Sequence, residues 1–149
     1  MVEYQGVVHA FFKEFLTEED VARLFPVLEL VHLKSRAILF ERDQDAGGVY
    51  FVVSGEVAVL SETGFGKRKQ VVALLHKGAP VGENGLLTAG THGRTVVAVE
   101  ESTLLHLSRS SFEQLCEERP EFGIIFFRWL LGRVSLRLKG STERLAHIL

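Results

Sequence analysis

The spacing of hydrophobic positions changes twice along the chain, and the three stretches so defined predict different secondary structures. In residues 2–16 apolar side chains recur every three or four residues, which predicts an amphipathic helix. Thr17 followed by three acidic residues is typical of a helix N-cap, and we expect a second short helix that ends before Pro26. Residues 1–25 are therefore assigned to N-terminal helices.

Residues 27–108 have a different pattern, in which short β-branched and aromatic runs are separated by turn residues. These runs predict strands at residues 37–40, 49–53, 56–61, 70–75, 95–99 and 104–107. Many short strands at close intervals favour a sandwich or jelly roll, so we expect a β-roll here. The basic, glycine-containing segment 64–69 lies between two of the strands and is predicted to be a solvated hairpin tip.

The last part of the chain, residues 110–149, is predicted to be helical. We expect an interruption near Pro120, and we expect the Gly-Ser pair at 140–141 to end the long helix. Residues 142–149 are then left for one more short helix.

The stretch 121–138 is apolar on nearly every side, whereas a helix that lies on a β-roll needs only one apolar face. Two explanations remain open. A second copy of the chain covers the surplus, giving a homodimer through residues 121–138, or the N-terminal helices of the same chain cover it. On the first explanation, charged replacements of Phe126 and Leu130 are expected to give a soluble monomer.

Length, composition and charge limit the kinds of protein that this sequence fits. The chain has 149 residues, the size of one domain, with 46% hydrophobic and 24% charged residues as in globular proteins. Its net charge of −2 gives no basic surface for DNA or for an anionic membrane. The single cysteine, Cys116, excludes an internal disulfide and fits a reducing cytosol. Three arginines in residues 122–138 exclude a membrane span, and we expect a cytoplasmic protein.

Candidate binding chemistry is concentrated in residues 80–95. Gly82 and Gly85 flank Glu83 at the start of a short apolar helical turn. The backbone N–H groups of Gly85 and Leu86 at such a turn can hold an anion. The carboxylate of Glu83 repels an anion but accepts hydrogen bonds from sugar hydroxyls. Sugar and phosphate recognised side by side indicate a nucleotide; the alternative for Glu83 is a solvated residue favoured by the helix dipole.

Segment 80–98, together with segments 38–57 and 104–112, resembles the cyclic-nucleotide-binding domain of catabolite-activator-type regulators and kinase regulatory subunits. The resemblance implies a mainly β fold: a double-stranded β-helix (jelly-roll) β-roll with N-terminal helices and a long C-terminal helix. It also implies that residues 80–95 form a phosphate-binding cassette and that Glu83 accepts the ribose 2′-OH. Dimer packing and signalling through the C-terminal helix are further expectations from the resemblance.

In this family an arginine binds the cyclic phosphate from the strand side of the cassette. Its position falls on His92 in this chain, and Arg94 follows two residues later. Because strand residues two apart point to the same face, either side chain is a candidate phosphate ligand. Arg94 is alternatively an outward residue paired with Glu100 or Glu101. Thr95 lies where the family often has a small or hydroxyl residue near the purine, or it simply fills the strand.

The sequence thus predicts a stand-alone, non-enzymatic regulatory module that binds cAMP, cGMP or a related phosphate ligand. No further cofactor, catalytic residue or metal is expected, and the downstream protein partner is unknown. The chain as given leaves no room for a helix-turn-helix module, so no DNA binding is expected. Two alternatives stay open: a ligand-free dimerisation scaffold, and a cupin-like metalloenzyme, although the histidines stand singly in the sequence.

Overall fold

A computed structural model describes residues 2–63, 68–87 and 90–148 of the chain. Within these ranges the helices are α1 (Val2–Phe12), α2 (Glu18–Leu24), α3 (Arg109–Glu118) and α4 (Pro120–Ile148), with short 3₁₀ helices at Phe25–Val27 and Glu83–Leu86. The strands are β1 (Leu28–Leu33), β2 (Ile38–Phe40), β3 (Asp45–Ala46), β4 (Gly48–Ser54), β5 (Val57–Thr63), β6 (Arg68–Leu75), β7 (Pro80–Val81), β8 (Gly90–Thr91), β9 (Thr95–Ala98) and β10 (Ser102–Ser108).

The N-terminal helices form largely as their sequence predicts. The Thr17 side chain accepts a hydrogen bond from the backbone N–H of Asp20, which confirms the predicted N-cap of α2. The first helix, expected over residues 2–16, ends earlier, at Phe12. The chain turns over the next residues, and this turn lets the ring of Phe15 stack on Trp129 of α4 at a centroid distance of 4.4 Å.

The strands form a jelly-roll-like β-roll, as expected. One four-stranded sheet has the order β1-β10-β4-β7, a second has the order β2-β9-β5-β6, and β3 pairs with β8. All six predicted strands are present, with shifted ends. Four strands were not predicted: β1 contains charged and polar residues, and β3, β7 and β8 are too short to leave a pattern. Residues 64–67 of the expected hairpin tip lie outside the described residues.

Two hydrophobic clusters hold the described parts together. One fills the space between the two large sheets, where Phe40, Val52 and Val96 meet. The other joins the β1-β10-β4 sheet to the helices, where Phe51, Phe112 and Phe126 meet. Strand β4 supplies both clusters because it is buried on both faces, and this explains its nearly continuous apolar sequence.

The C-terminal helices differ from the expectation at one point. The predicted interruption near Pro120 is confirmed, since α3 ends at Glu118 and α4 begins at Pro120. The predicted break at residues 140–141 is wrong, because α4 continues to Ile148. A glycine inside a helix costs only about 1 kcal/mol relative to alanine. The hydroxyl of Thr142 also donates to the carbonyl of Leu138 one turn earlier, a contact that is compatible with a continuous helix.

Helix α4 has a buried first part and an exposed second part. Phe126 and Leu130 are buried in the chain's own core, so the expectation that they form a dimer surface is wrong. The exposed apolar residues of the helix lie elsewhere, at Ile124, Phe127, Leu131, Leu136, Leu138, Leu145 and Ile148. In the described ranges no helix is both long and apolar enough to cross a membrane.

Candidate functional site

A cavity of about 410 Å³ opens between the 80–95 segment, the β2-β9-β5-β6 sheet and helix α4. Its apolar lining comes mainly from the sheet and includes Phe40, Val59, Leu75, Val81 and Val96. Its polar lining is supplied by the segment 80–95 and by α4, and consists of Glu83, Asn84, His92, Arg94, Arg137 and Ser141. One side of the cavity is therefore suited to an apolar or aromatic group, and the other to charged and hydroxyl groups.

The turn that begins the cassette requires its two glycines. Gly82 has φ +70°, a left-handed conformation that favours glycine, and a Cβ there would lie 3.2 Å from the Phe40 ring and 3.3 Å from the His92 ring. A Cβ at Gly85 would lie 2.2 Å from the carbonyl oxygen of Gly48, so the 3₁₀ helix packs directly against β4. These contacts set the position of Glu83 between the two glycines.

Gly85 and Leu86 do not line the cavity. The N–H of Gly85 donates to the carbonyl of Gly82 at an N–O distance of 3.0 Å, and the Leu86 side chain is buried in the core beside the helices. Their assignment to phosphate binding through backbone N–H groups stays a prediction.

Glu83 lines the cavity, and its side chain is about three-quarters buried. Its Oε1 accepts a hydrogen bond from Nη1 of Arg137 on α4 at 3.1 Å. Nη2 of the same guanidinium donates to the carbonyl of Pro80. Glu83 is therefore not the solvated helix residue of the alternative explanation but one partner of an ion pair inside the cavity.

His92 is a wall of the cavity rather than an exposed cation. It is only 4% exposed, and its ring stacks on Phe40 at 3.5 Å between ring centroids. Its backbone N–H donates to Gln44, and its carbonyl accepts from Asp43. Burial lowers the pKa of His92 below its ordinary value, because the charged imidazolium is the form that desolvation penalises. The ring is therefore neutral near pH 7.

Arg94 lines the same cavity and is exposed. Among the described residues it makes no hydrogen bond or ion pair, including the alternative pairing with Glu100 or Glu101. His92 and Arg94 lie in the bend before β9 rather than on a strand, so they share the cavity for a reason other than strand alternation. Thr95 is buried outside the cavity lining, where its hydroxyl accepts from the backbone N–H of Arg42.

Two arginines that the sequence analysis did not single out also shape the site. Arg137 bonds to both ends of the cassette turn, as described above. Arg109, at the start of α3, donates through Nη1 to the carbonyls of Ala46 and Gly85. The sequence signal for Arg137 was weak, because the sequence around an arginine on a long helix does not show which distant turn it contacts.

Comparison with known families decides what kind of domain surrounds this cavity. The family profile described as "Cyclic nucleotide-binding domain" matches residues 30–119, more than half of the chain. The chain belongs to the cyclic nucleotide-binding domain family. The match includes the whole of segment 80–95, so the cavity lies where the resemblance places the family's phosphate-binding cassette.

Among curated proteins, similar sequences occur inside longer chains of different kinds. The HTH-type transcriptional regulator Cmr of Mycobacterium tuberculosis is 34% identical over 136 residues, which cover 90% of this chain and 52% of the regulator. The lysophospholipase NTE1 of Candida albicans is 28% identical over 132 residues, which cover 87% of this chain and 10% of the lysophospholipase. The chain thus spans about half of the first relative and a tenth of the second.

Among solved structures, the cyclic nucleotide-binding domain from Methylobacillus flagellatus superimposes with a TM-score of 0.88 at 20% identity. The match covers 99% of this chain and 85% of that one. It confirms the β-roll with N-terminal helices and a long C-terminal helix.

As for the cupin alternative, no three His, Cys, Asp or Glu side chains come together as a possible metal site in the part of the chain that the structure describes.

Proposed function

We propose that this domain is a regulatory module that binds a cyclic nucleotide, or a related cyclic phosphate, in the cavity beneath α4. The observation that carries the proposal is the exposed guanidinium of Arg94, which lines the cassette cavity without a partner among the described residues. The cavity also holds the Glu83–Arg137 pair and the neutral ring of His92. The charged side chains that line the cavity therefore sum to one positive charge, which attracts an anion.

In this proposal Arg94 binds the phosphate. A guanidinium offers two parallel donors to two phosphate oxygens and stays charged at every physiological pH. A buried, neutral imidazole offers one donor at most. His92, at the family's arginine position, then serves as a packing residue that holds the cassette turn against Phe40.

The sugar and base occupy the rest of the cavity. Glu83 is the acceptor for a ribose hydroxyl, and the apolar lining from β5 and β6 receives the base. Helix α4 lies at the edge of this space, where Arg137 and Ser141 contribute to the cavity lining. A ligand that favours one position of α4 over another shifts the equilibrium between them, which is how the domain signals.

Calorimetry with cAMP, cGMP and cyclic di-GMP tests the proposal and identifies the base. Arg94→Gln is expected to cost about 2 kcal/mol or more of binding free energy, roughly 30-fold in affinity. Arg36→Gln, which removes the same charge from an exposed residue outside the cavity, is the matched control. His92→Phe is expected to keep most of the affinity, since it preserves an aromatic ring against Phe40.

A pH series separates the two candidate phosphate ligands. With Arg94 as the ligand, affinity is expected to stay flat between about pH 5.5 and 8, because guanidinium does not titrate there. If the affinity instead rises as the pH falls, and if this rise is lost in His92→Phe, the phosphate ligand is His92. If none of the three nucleotides binds, the proposal that the domain binds a cyclic nucleotide is wrong.

We also propose that the domain dimerises through α4. Most of its exposed apolar residues fall into a heptad register, with Ile124, Leu131, Leu138 and Leu145 seven residues apart and Phe127 and Ile148 at two of the d positions. The other two d positions are the half-buried Val134 and Ser141. Such a seam is typical of coiled-coil packing between two helices. The second candidate function, a dimerisation scaffold without a ligand, is favoured by this seam together with His92 in place of the family's arginine.

A further inference from the structure

The contact between Arg137 and the cassette turn joins the outer part of α4 to the proposed ligand site. One guanidinium binds both the Glu83 carboxylate, at 3.1 Å between Nη1 and Oε1, and the Pro80 carbonyl, at 2.6 Å between Nη2 and the oxygen. These two acceptors lie on either side of Gly82, so Arg137 spans the whole turn. We call this set of contacts the Arg137 bridge.

The Arg137 bridge and a ribose require the same carboxylate. Glu83 and Arg137 both line the cavity, and the Arg137 guanidinium already occupies Oε1 of the carboxylate that the ribose hydroxyl is proposed to approach. The ion pair is about three-quarters buried on the Glu83 side and 71% buried on the Arg137 side, since Arg137 is 29% exposed. Charge-assisted hydrogen bonds at such a site are stronger than those at the surface.

We infer that Arg137 competes with the ligand for Glu83, so that the Arg137 bridge holds α4 down in the ligand-free domain and the ligand's ribose displaces it. This inference rests on the proposed function, because the displacing group is the sugar hydroxyl that Glu83 is proposed to accept. Arg137 is a positioning residue here, acting through Glu83 rather than on the ligand.

Displacement of the Arg137 bridge has a mechanical consequence for α4. From Leu131 onward, no described residue of the helix is buried. The Arg137 bridge supplies two hydrogen bonds between this part of the helix and the β-roll. When Arg137 leaves Glu83, residues 131–148 lose those contacts while residues 120–130 stay in the core. Ligand binding thereby loosens the contact between residues 131–148 and the β-roll.

The test compares Arg137→Gln with Arg128→Gln in the whole domain. Arg128 is an exposed arginine on the same helix that lies outside the cavity, so its replacement is a control for the loss of charge. In the nucleotide-free protein, hydrogen exchange of residues 80–87 and 131–148 is expected to be faster in Arg137→Gln than in Arg128→Gln or the wild type. Equal exchange rates would overturn the Arg137 bridge as a restraint on α4.

Calorimetry on the same variants tests the competition. Removing a competitor is expected to tighten cAMP or cyclic di-GMP binding in Arg137→Gln at least about fivefold, the lower end of usual coupling between sites. Weaker or unchanged binding would overturn the inference, and weaker binding would make Arg137 a ligand contact instead. If neither nucleotide binds any variant, the proposed function fails, while the exchange rates still decide whether the Arg137 bridge restrains α4.

Discussion

The two parts of helix α4 differ in how deeply their apolar side chains are buried. In the inner half, residues 120–130, Phe122, Phe126 and Leu130 are buried in the cluster beside the β1-β10-β4 sheet. In the outer half, residues 131–148, the large apolar side chains are mostly exposed, and Arg137 makes the polar contacts with the β-roll. One continuous helix is therefore part of the core at one end and available for regulation or for a partner at the other.

The N-terminal segment accounts for much of this difference in burial between the two halves of α4. Asp20 of α2 is fully buried, and its Oδ1 lies 2.8 Å from Nε of Arg119, directly before α4. Phe15, after α1, stacks on Trp129. One contact is made by the residue directly before α4, and the other by the inner half of the helix. Of the two explanations for the apolar surplus, covering by the chain's own helices applies to the buried face of the inner half, and a dimer remains the proposal for the exposed seam, most of which lies in the outer half.

The largest effect is expected from removing a core side chain of the inner half. Phe126→Ala should lower the free energy of unfolding by about 3–5 kcal/mol, because it leaves a cavity in a packed core. Leu136→Ala, at an exposed position of the outer half, should change it by less than about 0.5 kcal/mol. Urea denaturation of both variants provides the measurement. Similar losses from the two substitutions would contradict the division of α4 into two halves.

The next largest effect is expected in the association of the outer halves. Replacing both Leu131 and Leu138 with Glu places like charges on the heptad seam, which costs several kcal/mol and should raise the dimer dissociation constant at least about 100-fold. Leu136→Glu adds charge to an equally exposed leucine that lies off the seam, and should leave the dimer intact. Sedimentation would count against the seam if the wild type is a monomer at micromolar concentration.

The smallest effect concerns the cavity wall beneath the outer half. Because burial lowers the pKa of His92 in the folded chain, the unfolded chain takes up a proton at a higher pH. The free energy of unfolding should therefore fall as the pH drops below about 6.5, by no more than about 1.4 kcal/mol per pH unit for one group. His92→Phe should reduce this slope in denaturation curves at pH 7.5 and pH 5.5.

Some slope is expected to remain in His92→Phe, because burial also lowers the pKa of His106, against a smaller opposing effect of Glu29. An unchanged slope in the variant would show that His92 does not titrate during unfolding.

The sequence brought together part of the candidate site, where the residues lie close together in the chain. Gly82, Glu83, His92 and Arg94 belong to one segment and line one cavity, whereas Gly85 and Leu86 of the same segment do not line it. Thr95, in the same segment, lies outside the cavity lining because its hydroxyl bonds to the backbone of Arg42. Their roles toward a ligand remain predictions for the binding experiments.

The sequence by itself determined the N-cap at Thr17, the strands with clear apolar runs, the interruption at Pro120 and the family resemblance. These features depend on local backbone preferences and on the spacing of apolar residues, and both can be seen in a short stretch of sequence. Only the tertiary structure decided that Phe126 faces the core, that burial keeps His92 neutral and that Arg137 binds Glu83. The reason is physical: burial, pKa and ion pairing depend on groups brought together from distant positions, such as Arg137 and Glu83, which lie 54 residues apart.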